Sequence, residues 1–580
     1  MSSPSVFNPR DIRCLWALFD VQARWRFAVI LALNLVAALL EVMGAGLIVS
    51  FVTIIANSDY IFTQAALRWV YASSSMNSAT EFQIAAALAL LIFYAVKNIY
   101  LAAVACFQYS VIYKEMRRAS ERMLASYLSR PYEFHIATNS SILIRNVGNE
   151  VLMFFSNVIM PLLTVFAEVA VVLAMAGLLL WLSPAPALIA IAVLGGVAVV
   201  FFLSVRQKVR RFGVLQQAEQ GERIKSINQG LGGIKEIKVL GRESYFVEAF
   251  AAHERVFSEA TRYAMILNQM PRLFMETVAF SALFVFVVAT LSSGFSTAEF
   301  LPMVALFAMA ALRLMPSANR ILGSVTRISY HWPAVQVVYA DARPQQKTPP
   351  KKSNHKDITF AKEISLRNIT YRYPGAGRHS LHGVDCTIPK GASVALVGPS
   401  GAGKTTLADI ILGLLTPSSG QVLVDGQDVA QALSSWQRRL GYIPQTIFLC
   451  DESVRRNVAF GVPDNEINED LVWLALERAQ LKVDVQAMPD GLDTVVGEQG
   501  ISLSGGQRQR VGIARALYHD PDVLVFDEAT SALDGDTERE VSRAIDALVG
   551  RKTIIIIAHR PATIEKCLLK IQLRNGRIVQ

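Results

Sequence analysis

Charge is scarce in this chain. Asp, Glu, Lys and Arg make up only 18% of its 580 residues, while 52% are hydrophobic. Ordinary globular chains carry about 25% charged residues. So little charge excludes a wholly water-soluble molecule and predicts that part of the chain lies in lipid. The length excludes a single hydrophobic core. Cysteine is scarce as well. Cys14, Cys106, Cys386, Cys450 and Cys567 have no paired spacing, which excludes a disulfide framework and a zinc site and leaves most of them as small apolar fillers. A convincing signal-peptide cleavage site is also missing. The first apolar run, from Phe27 to about Ala56, is too long for a signal-peptide core and reads as a retained anchor. The net charge of +9 does not mark a nucleic-acid partner, because much of the basic excess flanks apolar spans, as in loops kept on the cytoplasmic side.

Crossing a bilayer as helix takes about 20 apolar residues. Six stretches qualify: 27–56, 83–110, 155–182, 185–206, 272–293 and 297–318. Ser183-Pro184-Ala185-Pro186 joins the third to the fourth, and the short stretch Ser292 to Ser296 joins the fifth to the sixth. Both joints are too short to be anything but hairpins on one side. The connections 111–154 and 207–270 are long, helical in character and rich in Arg and Lys, including Arg117, Arg118, Arg122, Arg206, Lys208, Arg210 and Arg211. The positive-inside rule places them in the cytoplasm, with residues 1–26. They are expected to prolong the membrane helices beyond the bilayer, with a turn that touches another domain at the glycine-rich break Gly230 to Lys238. A linker, 341–363, follows, and then a soluble α/β pattern over 364–580.

The soluble part contains Gly398-Pro399-Ser400-Gly401-Ala402-Gly403-Lys404-Thr405, after the apolar run Val394–Val397 and before a helical pattern, Leu407 to Leu415. Strand, glycine-rich turn and helix in this order form a phosphate-binding loop. Backbone N–H groups and the helix N-terminus meet phosphate oxygens, Lys404 reaches the outer phosphates, and Thr405 can hold Mg²⁺. Further on stands Leu503-Ser504-Gly505-Gly506-Gln507. The apolar run Val523–Phe526 ends in Asp527-Glu528, and Thr553–Ala558 ends in His559. Continuous apolar runs of this length read as buried parallel strands. Asp527 is placed to support Mg²⁺, Glu528 to polarise an attacking water, and His559 to bond the terminal phosphate.

In this order and spacing the motifs resemble the ATP-binding cassette family over roughly residues 364–580. The resemblance implies ATP and Mg²⁺ as cofactors, with Glu528, His559 and Lys404 as catalytic residues. Tyr373 matches the aromatic that stacks on adenine. Gln445 matches the glutamine that senses Mg²⁺, completing the metal set Thr405, Gln445 and Asp527. Thr406 extends the phosphate contacts, and Gly497-Glu498-Gln499-Gly500 is similar to the contact loop of exporters. Ser504, Gly505, Gly506 and Gln507 stand as the signature that closes on the nucleotide of a partner chain. With one cassette per chain, the economical assembly is a homodimer, with a heterodimer of two different halves as the alternative. The implied fold is a multi-domain membrane protein, an all-α six-helix transmembrane domain followed by an α/β P-loop NTPase domain, seated in the bacterial inner membrane with the cassette in the cytoplasm.

Ionisable residues within or beside apolar spans are substrate clues. Lys97, Arg272, Arg313 and Arg320 are the cations; Glu41, Glu168 and Glu276 are the acids. Internal pairing, such as Arg272 with Glu276, and a cationic lining for an anionic headgroup are both open at this point. The segment Arg313 to Arg320, Pro271-Arg272 with Glu276, and Glu41 ahead of a Gly-rich run are similar to PglK-type lipid-linked oligosaccharide flippases. That likeness implies an outward-moved, lipid-linked saccharide or similar amphiphile. A drug, lipid or peptide exporter of the same architecture, and an ATP-gated channel or sensor, are the alternatives.

Overall fold

The computed structural model describes residues 18–56, 60–73, 78–182, 184–292, 297–341, 357–497, 500–527, 535–558 and 564–579. It divides into two compact units, Met1–Ser129 with Thr138–Gln345, and Arg130–Ala137 with Gln346–Gln580.

Long helices build the first unit: α1 (Val21–Ala56), α2 (Ala79–Leu128), α4 (Met160–Leu182), α5 (Pro184–Gly232), α6 (Glu243–Ser292) and α7 (Thr297–Asp341). A short helix, α3 (Tyr132–Ala137), falls in the second unit, although the sequence places it within the membrane domain. Each expected span lies in one of the long helices, except that the third begins in the turns just ahead of α4 and the last residue of the fifth, 293, lies outside the described residues. Among the described residues, three stretches are long and apolar enough to cross a membrane: Val21–Ile55, Ala79–Leu128 and Ser140–Leu178. At 50 residues, α2 is about 75 Å long, against about 30 Å of hydrocarbon. Much of it therefore stands outside the bilayer. Ser78 caps its start, the side-chain oxygen accepting from the Glu81 N–H at 3.2 Å. The Gly-rich break falls where α5 stops at Gly232, and Gly241, at φ +59°, closes the short helix Ile234–Leu240 that follows.

The third span differs most from expectation. Its helix starts at Ser140 and passes through two π-helical turns, Asn146–Glu150 and Phe155–Ile159, before α4. Each wider turn re-aims the side chains around it, and this region buries Asn146, Glu150, Phe155 and Val158. Polar bonds tie the long extensions together. Tyr127 Oη donates to Asp341 Oδ2 at 2.7 Å, Asn146 Nδ2 donates to Tyr127 Oη at 3.0 Å, and Gln217 Nε2 donates to Glu150 Oε2 at 2.7 Å. α5 and α7 approach so closely at Gly213 that a Cβ there would stand 1.9 Å from the Tyr330 carbonyl oxygen.

The second unit is α/β. A six-stranded sheet runs β10 (Arg577–Val579), β9 (Leu569–Arg574), β3 (Ser393–Val397), β8 (Thr553–Ile557), β7 (Val523–Asp527), β6 (Leu440–Ile443), and β6, β7, β8, β3 and β9 are parallel. Val394–Leu396 of β3, Val523–Phe526 of β7 and Ile554–Ile557 of β8 are apolar and buried without a break because both faces of the sheet are covered there. Ala395, Leu524, Phe526, Ile554 and Ile556 pack in one core, and Val394, Leu396, Val523, Val525 and Ile555 in another. A four-stranded antiparallel sheet, β2 (Leu381–Pro389), β1 (Glu363–Tyr371), β4 (Ser419–Val424) and β5 (Gln427–Asp428), completes the layer structure. The packed core already includes Ile358 and Phe360, inside the stretch expected to be linker.

Candidate nucleotide site

Parallel strands present their ligands at their C-terminal edge, and the motifs gather there. β3 leads into the loop Gly398–Gly403 and then α8 (Lys404–Ile411). Three backbone turns in the loop need glycine: φ is +149° at Gly398, +75° at Gly401 and +100° at Gly403. The loop is also clamped from behind. Gly576 N–H donates to the Ala402 carbonyl at 3.1 Å, and His382 N–H donates to the Gly576 carbonyl at 2.8 Å. A Cβ on Gly398 would meet the Leu573 carbonyl oxygen at 2.2 Å.

Lys404 is only 6% exposed. Its Nζ donates to the carbonyls of Gly398 at 2.9 Å and Pro399 at 3.1 Å. Among the described residues it has no carboxylate partner. A buried ammonium held by neutral carbonyls alone is a cation prepared for an anion. The first-turn N–H groups of α8 add to the same field. Thr405 is exposed at that turn, and Thr406 is buried with its hydroxyl 3.2 Å from Tyr373 Oη. Pro399, Ser400 and Ala402 complete the loop, with Ala402 N–H donating to the Pro399 carbonyl at 3.2 Å.

Asp527 ends β7. Both Leu396 of β3 and Asp527 pair with Ile557 of β8. Two strand spacings, about 10 Å, therefore separate Asp527 from the strand that launches the phosphate loop. Gln445 is exposed two residues beyond β6, whose Ile443 pairs with Phe526. A carboxylate, an amide and a hydroxyl from Asp527, Gln445 and Thr405 are hard oxygen donors, a set that suits Mg²⁺. Asp409, on α8, escaped the sequence reading. Burial first, and then the charge of Asp527, push its carboxyl up to about 6. Burial, Asp527 and Asp409 also raise the Tyr442 phenol. The site is thus acidic on the Asp527 side and cationic at Lys404.

The Ser504 motif begins another helix, α9 (Gly505–Leu517). Ser504 Oγ accepts from Gln507 N–H at 3.2 Å, and Gln507 Oε1 accepts from Ser504 N–H at 3.0 Å. This reciprocal cap holds the helix start rigid. Ser504 and Gly505 are exposed, and Gly506 is buried. An exposed, capped helix N-terminus can receive an anion from outside its own chain. Glu528 and His559, together with Glu498 and Gln499, lie outside the described residues.

The membrane charges divide into two groups. Lys97 is buried, with Nζ 3.6 Å from Glu41 Oε1 and 4.6 Å from the centre of the Tyr94 ring. Arg320 grips Glu168 through two bonds, Nε–Oε1 at 2.5 Å and Nη2–Oε2 at 3.1 Å. Two of the four expected lining cations therefore have acidic partners within the chain. Arg272 is exposed and, among the described residues, makes no ion pair, with Glu276 or otherwise. Arg313 sits on α7, and its side chain lies outside those described.

Known proteins match this arrangement. The family model described as ABC transporter matches residues 381–531, and that described as ABC transporter transmembrane region matches 43–314. An ATP-dependent lipid A-core flippase of Cupriavidus metallidurans is 33% identical over 66% of this chain and 65% of its own length. The chain therefore spans slightly less than two thirds of that relative. A protein of the same description from Thiobacillus denitrificans is 31% identical over 79% of each chain. Among solved structures, a bacterial Atm1-family ABC exporter with ATP bound covers 96% of this chain and 94% of its own, with a TM-score of 0.75 and 21% identity, a likeness of fold. The chain belongs to the ABC transporter family.

Proposed function

We propose that the chain is half of a homodimeric, ATP-hydrolysing exporter or flippase that moves an anionic, sugar-bearing lipid outward across the bacterial inner membrane. The observation that carries this reading is Lys404, a buried ammonium held by carbonyls in a glycine loop at the same sheet edge as Asp527, on a chain whose other unit holds membrane-length apolar helices. ATP enters with its phosphates on the loop and α8, its adenine against Tyr373. Bound Mg²⁺ would neutralise the developing charge on the phosphates. Asp527, Gln445 and Thr405 would hold that ion, Glu528 would orient the water, and His559 would bond the terminal phosphate. Ser504, with the N-terminus of α9, closes on the nucleotide of the second copy. Six crossings return the cassette to the cytoplasm.

Two observations favour a lipid over a water-soluble cargo. The first unit contains an apolar cavity of about 850 Å³ lined by Phe27, Leu35, Leu39, Leu162, Phe166 and Leu173, among others, which suits acyl or prenyl chains. Arg272 offers an exposed cation near the expected start of the fifth span, where a phosphate headgroup can pair with it. Relatives described as lipid A-core flippases point to the same cargo class. Polyprenyl pyrophosphate glycans and lipid A-core share a phosphate, sugars and long apolar chains.

The test is ATP hydrolysis by the protein in nanodiscs, with each glycolipid added in turn. One of the two is expected to stimulate turnover, and Arg272→Ala is expected to weaken that stimulation about tenfold in apparent affinity, the size of one charged hydrogen bond. Stimulation by neither lipid, with robust stimulation by hydrophobic drugs, contradicts the substrate class and favours the drug-exporter reading.

A further inference from the structure

We propose that Asn268 on α6 and Asn319 on α7 form a sugar subsite beside Arg272, where they bind the sugar joined to the lipid phosphate that Arg272 pairs with. This inference rests on the reading that the cargo is an anionic, sugar-bearing lipid. It adds the residues that tell such a lipid from a sugar-free one.

Buried polar atoms in folded chains nearly always have a hydrogen-bond partner. Two that do not lie on these neighbouring helices. Asn268 Oδ1 and Asn319 Oδ1 are both shielded from solvent, and neither accepts a hydrogen bond among the described residues. The helices meet here at a glycine. A Cβ on Gly323 of α7 would stand 3.5 Å from Asn268 Oδ1, and Asn319 lies one turn before Gly323 on the same side of α7. The backbone adds another acceptor. Pro271 lies inside α6 and has no N–H to give, so the Leu267 carbonyl lacks its usual helical donor. A buried oxygen without a donor costs roughly 1–3 kcal/mol. Natural chains keep such costs at functional sites.

The donor set points to hydroxyl groups. An amide side chain both accepts and donates, as a sugar hydroxyl does. Arg272 follows Asn268 by one turn on the same side of α6, and its charge opposes a metal ion or an ammonium group at the amides. Arg272 is exposed and, among the described residues, makes no ion pair, so its guanidinium is open to a phosphate. The rise between the two residues is about 6 Å, comparable with the step from a phosphate to the sugar it carries. The depth agrees as well. Arg272 stands at the expected start of the fifth span, and Asn319 just past the expected end of the sixth. Cation and amides therefore share the level at which a lipid of the cytoplasmic leaflet holds its headgroup.

The test uses the full chain in nanodiscs. Two probes carry sugar, polyprenyl pyrophosphate with one N-acetylhexosamine and lipid A-core. Their sugar-free counterparts are polyprenyl pyrophosphate and phosphatidic acid. Affinity is read from the rise in melting temperature as each lipid is titrated, since a ligand of the folded chain raises it by mass action. The better-bound sugar-bearing probe is then compared with its counterpart. Asn268→Ala and Asn319→Ala are each expected to lose about fivefold in affinity for the sugar-bearing probe, the equivalent of one neutral hydrogen bond, and to bind the sugar-free one as the unmodified chain does. Arg272→Ala weakens both alike. Without lipid, the two Asn variants are expected to melt no lower than the unmodified chain, because each removes a buried oxygen that has no donor. A purely structural role would move both probes together. Equal loss for the two probes, no loss for either, or lower melting of both lipid-free Asn variants overturns the sugar subsite and leaves the cargo reading standing. If no probe raises the melting temperature of the unmodified chain, the anionic-lipid reading falls instead, and the subsite with it.

Discussion

Replacing Lys404 with alanine is expected to lower ATP turnover by about a hundredfold or more, the cost of removing a preorganised charge from a phosphoryl-transfer site. The ammonium is held in place before any ligand arrives, by the carbonyls of Gly398 and Pro399. Those two bonds fix its position without neutralising it. Alanine removes the charge and leaves both carbonyl oxygens without their donor, so the loop loses its central tie as well. Lys404→Arg is not a rescue, because a larger planar group must fit where the native side chain is already 6% exposed. Phosphate release by the purified variant is the measurement. Turnover within a few-fold of the unmodified chain would show that hydrolysis does not depend on this loop.

Gly398→Ala is expected to abolish nucleotide binding and destabilise the cassette by about 3 kcal/mol or more, through a strained backbone and an overpacked contact. The added Cβ would lie 2.2 Å from the Leu573 carbonyl oxygen, and the backbone is at φ +149°. β9 cannot retreat easily, because its Leu569–Gln572 residues pair with β3 along Val394–Val397. The loop must move instead, and with it the N–H groups proposed to face phosphate. Gly377→Ala is the control: its Cβ meets nothing within 4 Å, and its φ lies outside the strained range. Thermal melting and ATP binding of both variants separate local strain from a general intolerance of glycine replacement. Equal behaviour of the two variants would contradict the clamp.

The sequence disclosed most of the cassette and less of the membrane unit, for physical reasons. Strands β3, β7 and β8 announce themselves because both faces of the sheet are covered, leaving unbroken runs such as Val523–Phe526. The phosphate loop is local, so its glycine spacing is readable from residues 398–405. Its clamp is not local: Leu573 and Gly576 reach it only after the chain has built the rest of the sheet. Asp409 was hidden because a carboxylate on a helix carries no motif, and its proximity to Asp527 arises from packing. The ion pairs were hidden for the same reason. Lys97 meets Glu41, and Arg320 meets Glu168, across helices whose rotation about their own axes is not written in an all-round apolar sequence. The grouping of Arg130–Ala137 with the cassette is another product of tertiary packing, since nothing in its composition sets it apart from the long connection around it.

The shared site is the centre of the account, and mixing two damaged chains tests it most directly. Lys404→Ala disables the loop, and Ser504→Arg blocks the exposed start of α9. Each variant alone is expected to be inactive. In a dimer that pairs one of each, one site inherits both lesions and the other inherits neither, so ATP hydrolysis by the isolated mixed dimer is predicted to return. A mixed dimer as silent as either parent, despite normal assembly, would mean that loop and signature do not meet across two copies.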